Sequence, residues 1–452
     1  MTISDATPAI SKAITFFRRI CSESETRDIN VVMVSHIVDS ARPFIPVIAD
    51  NFKLKAVYAK RSSINSSLMQ WLKQTYPNTK FEKLDRIRFS GNPAFFVEEC
   101  FPNVSPNREK VLLVDIGGYF AEADNGPELI KVALSKKGYQ LIGIVEDTEN
   151  GHKRYEDWLE SANSENASSS VPVYSVARSP LKAPENHLVG VAVTFSIEAI
   201  LREQDVVLQS RRAGVIGFGP IGSSVAHALR NRGIPVRVCE IDPIRLAVAA
   251  AQGFHVHHYD DDFISFAHDL NLIVSSTGAG AKKSYRSKLT TNNDIDEVVR
   301  LPRTRSVRQL PLNASTIGYI EQNTFVASVT SSDDEIDLDS IKQNYETQRI
   351  SDNVCSYTEK IGSLDDIDAT GRHRFLLMMD GNAVNFAHGG VVGPAIQLLQ
   401  GEIIVCMQNL VEISQNERKL SEYRMLELTV EQRQMVADRW LDQYLVENLQ
   451  QS

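Results

Sequence analysis

Cysteine is scarce in this chain of 452 residues, and its five thiols, Cys21, Cys100, Cys239, Cys355 and Cys406, stand far apart with no CxxC pair. That spacing excludes a zinc knuckle and fits a reducing cytoplasm. Long apolar runs are missing too, and none approaches the roughly 20 residues that span a bilayer. The opening Met1-Thr2-Ile3-Ser4-Asp5 lacks the basic-then-apolar order of a signal peptide. Cationic charge is outweighed, 48 Lys and Arg against 57 Asp and Glu, for a net charge of -9. That balance argues against nucleic acid or an anionic membrane as a general partner. No Ser/His/Asp or Cys/His set has supporting context, so a covalent hydrolase is disfavoured. His255, His257 and His258 alternate poorly for metal ligation and read as a surface turn, so no metal is expected. No internal sequence repeat is visible. What remains is a globular composition, 42% hydrophobic and 23% charged, in a chain long enough for two or three domains.

Short apolar runs alternate with polar-faced stretches through the first half. Residues 29–34, 111–114 and 140–145 read as strands and 66–74 as a helix, which predicts a parallel α/β sheet. Residues 161–170 (SANSENASSS) read as a polar loop, and a long helix is expected over about 188–204. From 281 to 308 the chain turns basic and irregular, either a solvated surface insertion or a polyanion patch. Residues 331–335 (SSDDE) read as a further surface loop, and Thr429 to Gln432 has the spacing of a capping box opening a last helix.

The most informative stretch is GVIGFGPIG, residues 214–222, which holds GxGxxG at Gly217, Gly219 and Gly222 between an apolar run and a helix-like segment. The first glycine permits the tight turn, the second lets backbone approach a pyrophosphate, and the third lets helix pack on strand. Pro220 and Ile221 open the helix, whose free N–H groups and dipole favour the phosphate. Val236 to Glu240 reads as the next strand, and Glu240 stands about 20 residues on, where a carboxylate binds ribose hydroxyls and repels a 2′-phosphate. NAD is therefore expected over NADP. Residues 272–278 form a strand ending in Ser276, Thr277 and Gly278, as suits the ligand edge of a parallel sheet.

The chain resembles the S-adenosylhomocysteine hydrolase family through several blocks in that family's order. These are LVDIGG (113–118), GIVEDTENG (143–151), the glycine motif with CEIDPI (239–244), SSTG (275–278) and DGNAVNF (380–386). The resemblance implies two Rossmann-like parallel-sheet domains in an α/β fold, with the NAD domain inserted into a substrate domain. The implied boundaries are 1–189 for the substrate domain, 190–386 for the NAD domain and 387–452 for the return and terminal helix. It implies a homo-oligomer and a nucleoside-like substrate held in a cleft between the domains. It also implies chemistry in which a ribose 3′-hydroxyl is oxidised, the 5′-substituent is eliminated, water adds and the hydride returns.

By the same resemblance Lys182 falls at the catalytic lysine, Asp147 and Thr148 at positions that hold ribose hydroxyls, and His36 at a histidine ending the first strand. Asn385 matches an asparagine that contacts the nicotinamide amide, and His388 lies just upstream of the segment closing over the base. Asn186 replaces an aspartate that accepts a proton, His187 the next asparagine, and Ile116 a second aspartate of the LVDIGG segment. Bland readings compete: an exposed Lys182 between Pro180 and Pro184, strand capping by His36, and turn chemistry for Asp147-Thr148. The sequence therefore leaves open an enzyme acting on a ribose-type secondary alcohol, a catalytically silent NAD-binding regulator or scaffold, and true adenosylhomocysteine hydrolysis. A 2-hydroxyacid dehydrogenase is a further option, with LPLNAST (310–316) in its favour but no arginine for a substrate carboxylate after the strand ending near 329.

Overall fold

The computed structural model describes residues 7–21, 26–121, 126–164, 171–278, 310–330, 335–360, 372–416 and 425–445. The basic segment 281–308 lies outside them. The chain forms two compact units: Met1–Glu185 with Gly389–Ser452, and Asn186–His388 inserted between those two segments.

The first unit is built on six parallel strands, β1 (Asn30–Ile37), β2 (Lys53–Ile64), β3 (Lys80–Lys83), β4 (Lys110–Asp115), β5 (Gln140–Glu146) and β6 (Val173–Ser175). Their spatial order is β3-β2-β1-β4-β5-β6. The inner strands are near-continuous apolar runs because both faces of the sheet are covered, which is the pattern a parallel sheet demands. Met33 of β1, for instance, pairs with Val57 and Val114 on either side. One face packs against the helices Pro8–Cys21, Ala41–Asn51 and Ala395–Gln415 through Phe16, Phe44, Ile403 and Met407. The other buries Phe89, Phe96, Ile130 and Tyr155. The helix Ser66–Thr75 starts where Asn65 caps it, its side chain accepting from the Leu68 N–H at 3.0 Å.

The second unit holds β7 (Ala213–Ile216), β8 (Val236–Glu240), β9 (His255–His258), β10 (Leu272–Ser275), β11 (Thr324–Ser328), β12 (Tyr345–Ser351), β13 (Val354–Glu359) and β14 (Arg374–Met378). Their order is β12-β13-β14-β11-β10-β7-β8-β9, parallel from β14 to β9, with β12 and β13 added antiparallel at one edge. Both units are thus Rossmann-like, and in both the parallel strands run 3-2-1-4-5-6. In each, the order reverses between the first and fourth strands, β1 and β4 in one and β7 and β10 in the other, where such sheets open a crevice at their carboxyl ends.

Three expectations need correction. His255 to His258 is not a surface turn but an edge strand, with His257 buried and its Nδ1 2.6 Å from Asp262 Oδ2. Strand pairing with β8 overrides the polar composition. The helix Glu149–Ser164 takes the first four residues of the expected polar loop, and 165–170 lie outside the described residues. Glu335 is fully buried rather than part of a surface loop; its neighbours 331–334 lie outside the described residues. No helix among the described residues is long and apolar enough to cross a membrane.

Candidate functional site

In the first unit, charged side chains gather at the carboxyl ends of the strands. His36, next to last in β1, sets its Nδ1 2.5 Å from Ser63 Oγ of β2. Burial, with the ammonium groups of Lys60 and Lys182 nearby, pushes the His36 imidazole well below its usual range, so the ring is neutral. At the end of β5, Glu146 is fully buried and accepts from the N–H groups of Gly117, Gly118 and Thr148 and from Thr148 Oγ1, at 2.6–3.0 Å. Burial first, then Asp115 and Asp147, raise its carboxyl. Asp115 is committed to the loop below, accepting from Phe120 N at 3.0 Å and the Tyr155 hydroxyl at 2.7 Å. The Thr148 hydroxyl, which accepts from Gly151 N at 3.0 Å, serves the turn that starts the next helix. The turn reading of Thr148 is thus the one with a visible geometry.

Asp147 is buried as well, and among the described residues its Oδ1 has no hydrogen-bond partner. Burial and Glu185 push its carboxyl up to about 6 against the pull of Lys182 and Lys60. Lys182 ends a short turn, Pro180–Lys182, that Ser179 caps by accepting from Leu181 N at 3.2 Å. It is not an exposed lysine: only 8% of it is accessible, and its Nζ lies 3.4 Å from Glu185 Oε2. Burial works against its charge, but Glu185, Asp147 and Glu146 outweigh it and hold the ammonium above its usual range. The turn is tied to the long C-terminal helix where Ser179 Oγ donates to Glu402 Oε1 at 2.7 Å. His36, Lys60, Asp147, Lys182 and Glu185 are thereby coupled in one group.

The second unit shows a separate constellation. Gly217 adopts φ +93°, and a Cβ there would fall 2.5 Å from Ser276 O. A Cβ on Gly222 would fall 2.1 Å from Gly217 O. These two glycines are required by the protein itself. Gly219 is not: its φ is -71° and a Cβ would meet only Arg245 Nη1, at 3.5 Å. Gly219 caps the helix Pro220–Arg230 without a side-chain hydrogen bond, so its absent Cβ leaves the first N–H groups open to an anion. Glu240 accepts from Phe218 N at 2.6 Å, Ile241 N at 2.8 Å and Asp242 N at 3.0 Å, closing the turn and keeping about one of its four acceptor positions for a hydroxyl. Ser276 N donates to Ile216 O at 2.8 Å, and the N–H groups of Thr277 and Gly278 donate to Glu335 at 3.1 and 2.7 Å. Asn385 is buried with an unpartnered Oδ1, an acceptor suited to an amide N–H. An open helix cap, a residual carboxylate acceptor and an orphaned amide oxygen fit a dinucleotide.

The remaining expected residues do not join the charged group. Asn186 is the first residue of the second unit; His187 is exposed, and its carbonyl accepts from Ser224 Oγ at 2.7 Å. His388 Nδ1 lies 3.0 Å from Ser196 Oγ and its ring stands edge-on to Phe195. Sequence reasoning missed Glu185, Glu335 and Glu402. Glu185 and Glu335 sit in polar stretches, and only the fold reveals that they are paired or buried; Glu402 precedes the apolar run 403–407, a signal of burial that could have found it.

Residues 191–299 match the family described as S-adenosyl-L-homocysteine hydrolase, NAD binding domain. The second unit therefore carries an NAD-binding domain of that kind, and NAD is its cofactor. Among solved structures, a dipicolinate synthase polypeptide from Bacillus halodurans is similar at 11% identity over 71% of this chain and 88% of that one, with a TM-score of 0.38. Its counterpart from Bacillus subtilis, also a dipicolinate synthase, is similar at 10% identity over 87% of this chain and 100% of that one, TM-score 0.38. A 2-hydroxyacid dehydrogenase from Ketogulonicigenium vulgare gives 12% identity, 88% and 98% coverage, and a TM-score of 0.39. Nothing about activity follows from likeness at that level.

Proposed function

We propose that this protein is an NAD-dependent enzyme that oxidises a ribose-type secondary alcohol on a nucleoside-like small molecule. The observation that carries this reading is Lys182, a buried ammonium in electrostatic reach of buried Asp147, whose Oδ1 is unpartnered among the described residues. NAD, when bound, would supply the acceptor for a hydride leaving a carbinol carbon. That transfer requires loss of the hydroxyl proton, and Asp147, with a carboxyl near 6, is mostly ionised at neutral pH and so able to take it. Lys182, held charged, stabilises the oxygen as negative charge develops there. Neutral His36 offers a hydrogen bond to a second hydroxyl. In the second unit Gly219 and the helix opening at Pro220 would hold the pyrophosphate, Glu240 a ribose hydroxyl and Asn385 the carboxamide.

Ile116, buried and apolar, supplies no carboxylate for elimination of a 5′-substituent, which favours simple oxidation over a full hydrolytic cycle. The same residue, together with Asn186, supports a second reading, a silent NAD-binding regulator. Purified protein offered NAD and a panel of nucleosides separates the two. Growth of reduced-nicotinamide absorbance, lost in K182M and D147N, supports the enzyme. Bound NAD that no diol reduces defeats it, and release of adenosine from S-adenosylhomocysteine would restore hydrolysis.

A further inference from the structure

We propose that Glu185 is the positioning residue for Lys182, taking from one place earlier in the chain the part that a carboxylate at position 186 would play. The inference gains its catalytic meaning from the oxidation reading, but its geometry stands alone. Lys182 closes its turn just before the helix Ala183–Glu203, so positions 185 and 186 lie three and four residues beyond it. Side chains at both spacings project toward the same helical face, and either can set a carboxylate against the lysine. The sequence places Asn at 186 and Glu at 185. The Glu185 carboxylate lies 3.4 Å from Lys182 Nζ, with 15% and 11% of the two side chains accessible. Among the described residues its Oε2 makes no hydrogen bond to any other group. A buried ammonium with one carboxylate removed is costly, and it answers by releasing its proton more readily.

Other charged groups also act on Lys182, and they bound the size of the effect. Asp147 and Glu146 face it from the end of β5 and support its charge. His36 on β1 and Glu402 on the helix Ala395–Gln415 also feel it. Asp147, mostly ionised at neutral pH, remains in E185Q, so only part of the lysine's support is lost with Glu185.

The test reads the lysine directly and needs neither NAD nor substrate, so it can succeed or fail independently of the oxidation reading. Cyanate carbamylates only the neutral amine and is small enough to reach a pocket. Its rate at Lys182 is followed by peptide mass spectrometry across pH, with circular dichroism and the urea midpoint as checks of folding. E185Q should be modified at least about tenfold faster than wild type near pH 8, a fall of about one pKa unit. E185Q/N186D, which returns a carboxylate at the four-residue spacing, should restore the wild-type profile. N186D alone should slow modification further. An E185Q profile that superimposes on wild type overturns the proposal, as does failure of N186D to rescue. Should E185Q not fold, N186D in the otherwise wild-type chain carries the test, and an unchanged rate there is equally fatal.

Discussion

At the scale of single residues, the three motif glycines separate into those the protein needs and one it does not. Alanine at 222 drives a Cβ onto the Gly217 carbonyl, so G222A should lose about 2 kcal/mol or more of stability together with NAD binding. Alanine at 219 meets only the mobile end of Arg245. G219A should unfold in urea within about 0.5 kcal/mol of wild type, yet bind NAD at least about tenfold more weakly. Equal losses in both properties would mean that Gly219 is structural. Asp147 makes an opposite trade. Its carboxyl rises from 3.8 to about 6 on folding, so the folded chain holds that proton more tightly. The resulting stabilisation is complete below the unfolded value and disappears as pH climbs through the folded one. Wild type should therefore lose on the order of 2 kcal/mol relative to D147N between about pH 4 and pH 7, read as urea midpoints at each pH. A stability difference that does not vary with pH would show that Asp147 is not held in the desolvated state described.

At the scale of elements, the helix Ala395–Gln415 does more than cover the sheet, because Glu402 reaches from it to the cap of the Lys182 turn. Burial lifts the Glu402 carboxyl to about 7 although Ser179, Arg433 and Lys182 pull it down. E402Q keeps an acceptor for Ser179 and should preserve the turn. E402L strands the Ser179 hydroxyl and should cost about 1–3 kcal/mol; a leucine variant as stable as the glutamine one would show that the hydrogen bond contributes little. The strands at 29–34, 111–114 and 140–145 are legible in the sequence because a strand buried on both faces must be apolar throughout. β9 is not, since three of its four residues are histidines and only pairing with β8 makes them a strand. The helix beginning at Ala183 is legible only from about 188 because residues 183–187 carry no apolar period, although Pro184 at its start obeys a known preference. Glycine spacing makes the dinucleotide turn readable, whereas Glu335 finds its partners Ser275 and Thr277 about 60 residues away, beyond any local pattern.

At the scale of the molecule, two sheets share one strand order while their sequences show no repeat. The parallel extends to a detail. In the first unit Glu146, at the end of the fifth strand in that order, receives the N–H groups of Gly117 and Gly118 after the fourth. In the second, Glu335, which follows the fifth strand β11, receives those of Thr277 and Gly278 after the fourth, β10. NAD should slow amide hydrogen exchange at 217–222, 240–242 and 276–278 and leave 117–118 untouched, a pattern that peptide-resolved mass spectrometry can read. Protection spread evenly over both units would contradict a dinucleotide site confined to the second.

The turn after β1 has a further consequence. From Ser35, near the end of β1, to Ser40 the chain contains no glycine, in contrast to Gly217, Gly219 and Gly222 after β7. A turn without glycine gives backbone no close approach to a second pyrophosphate. Loading should accordingly saturate at a single coenzyme for every polypeptide, however many copies assemble, and a native mass spectrum counting two would mean that the twin scaffold had kept its twin's appetite.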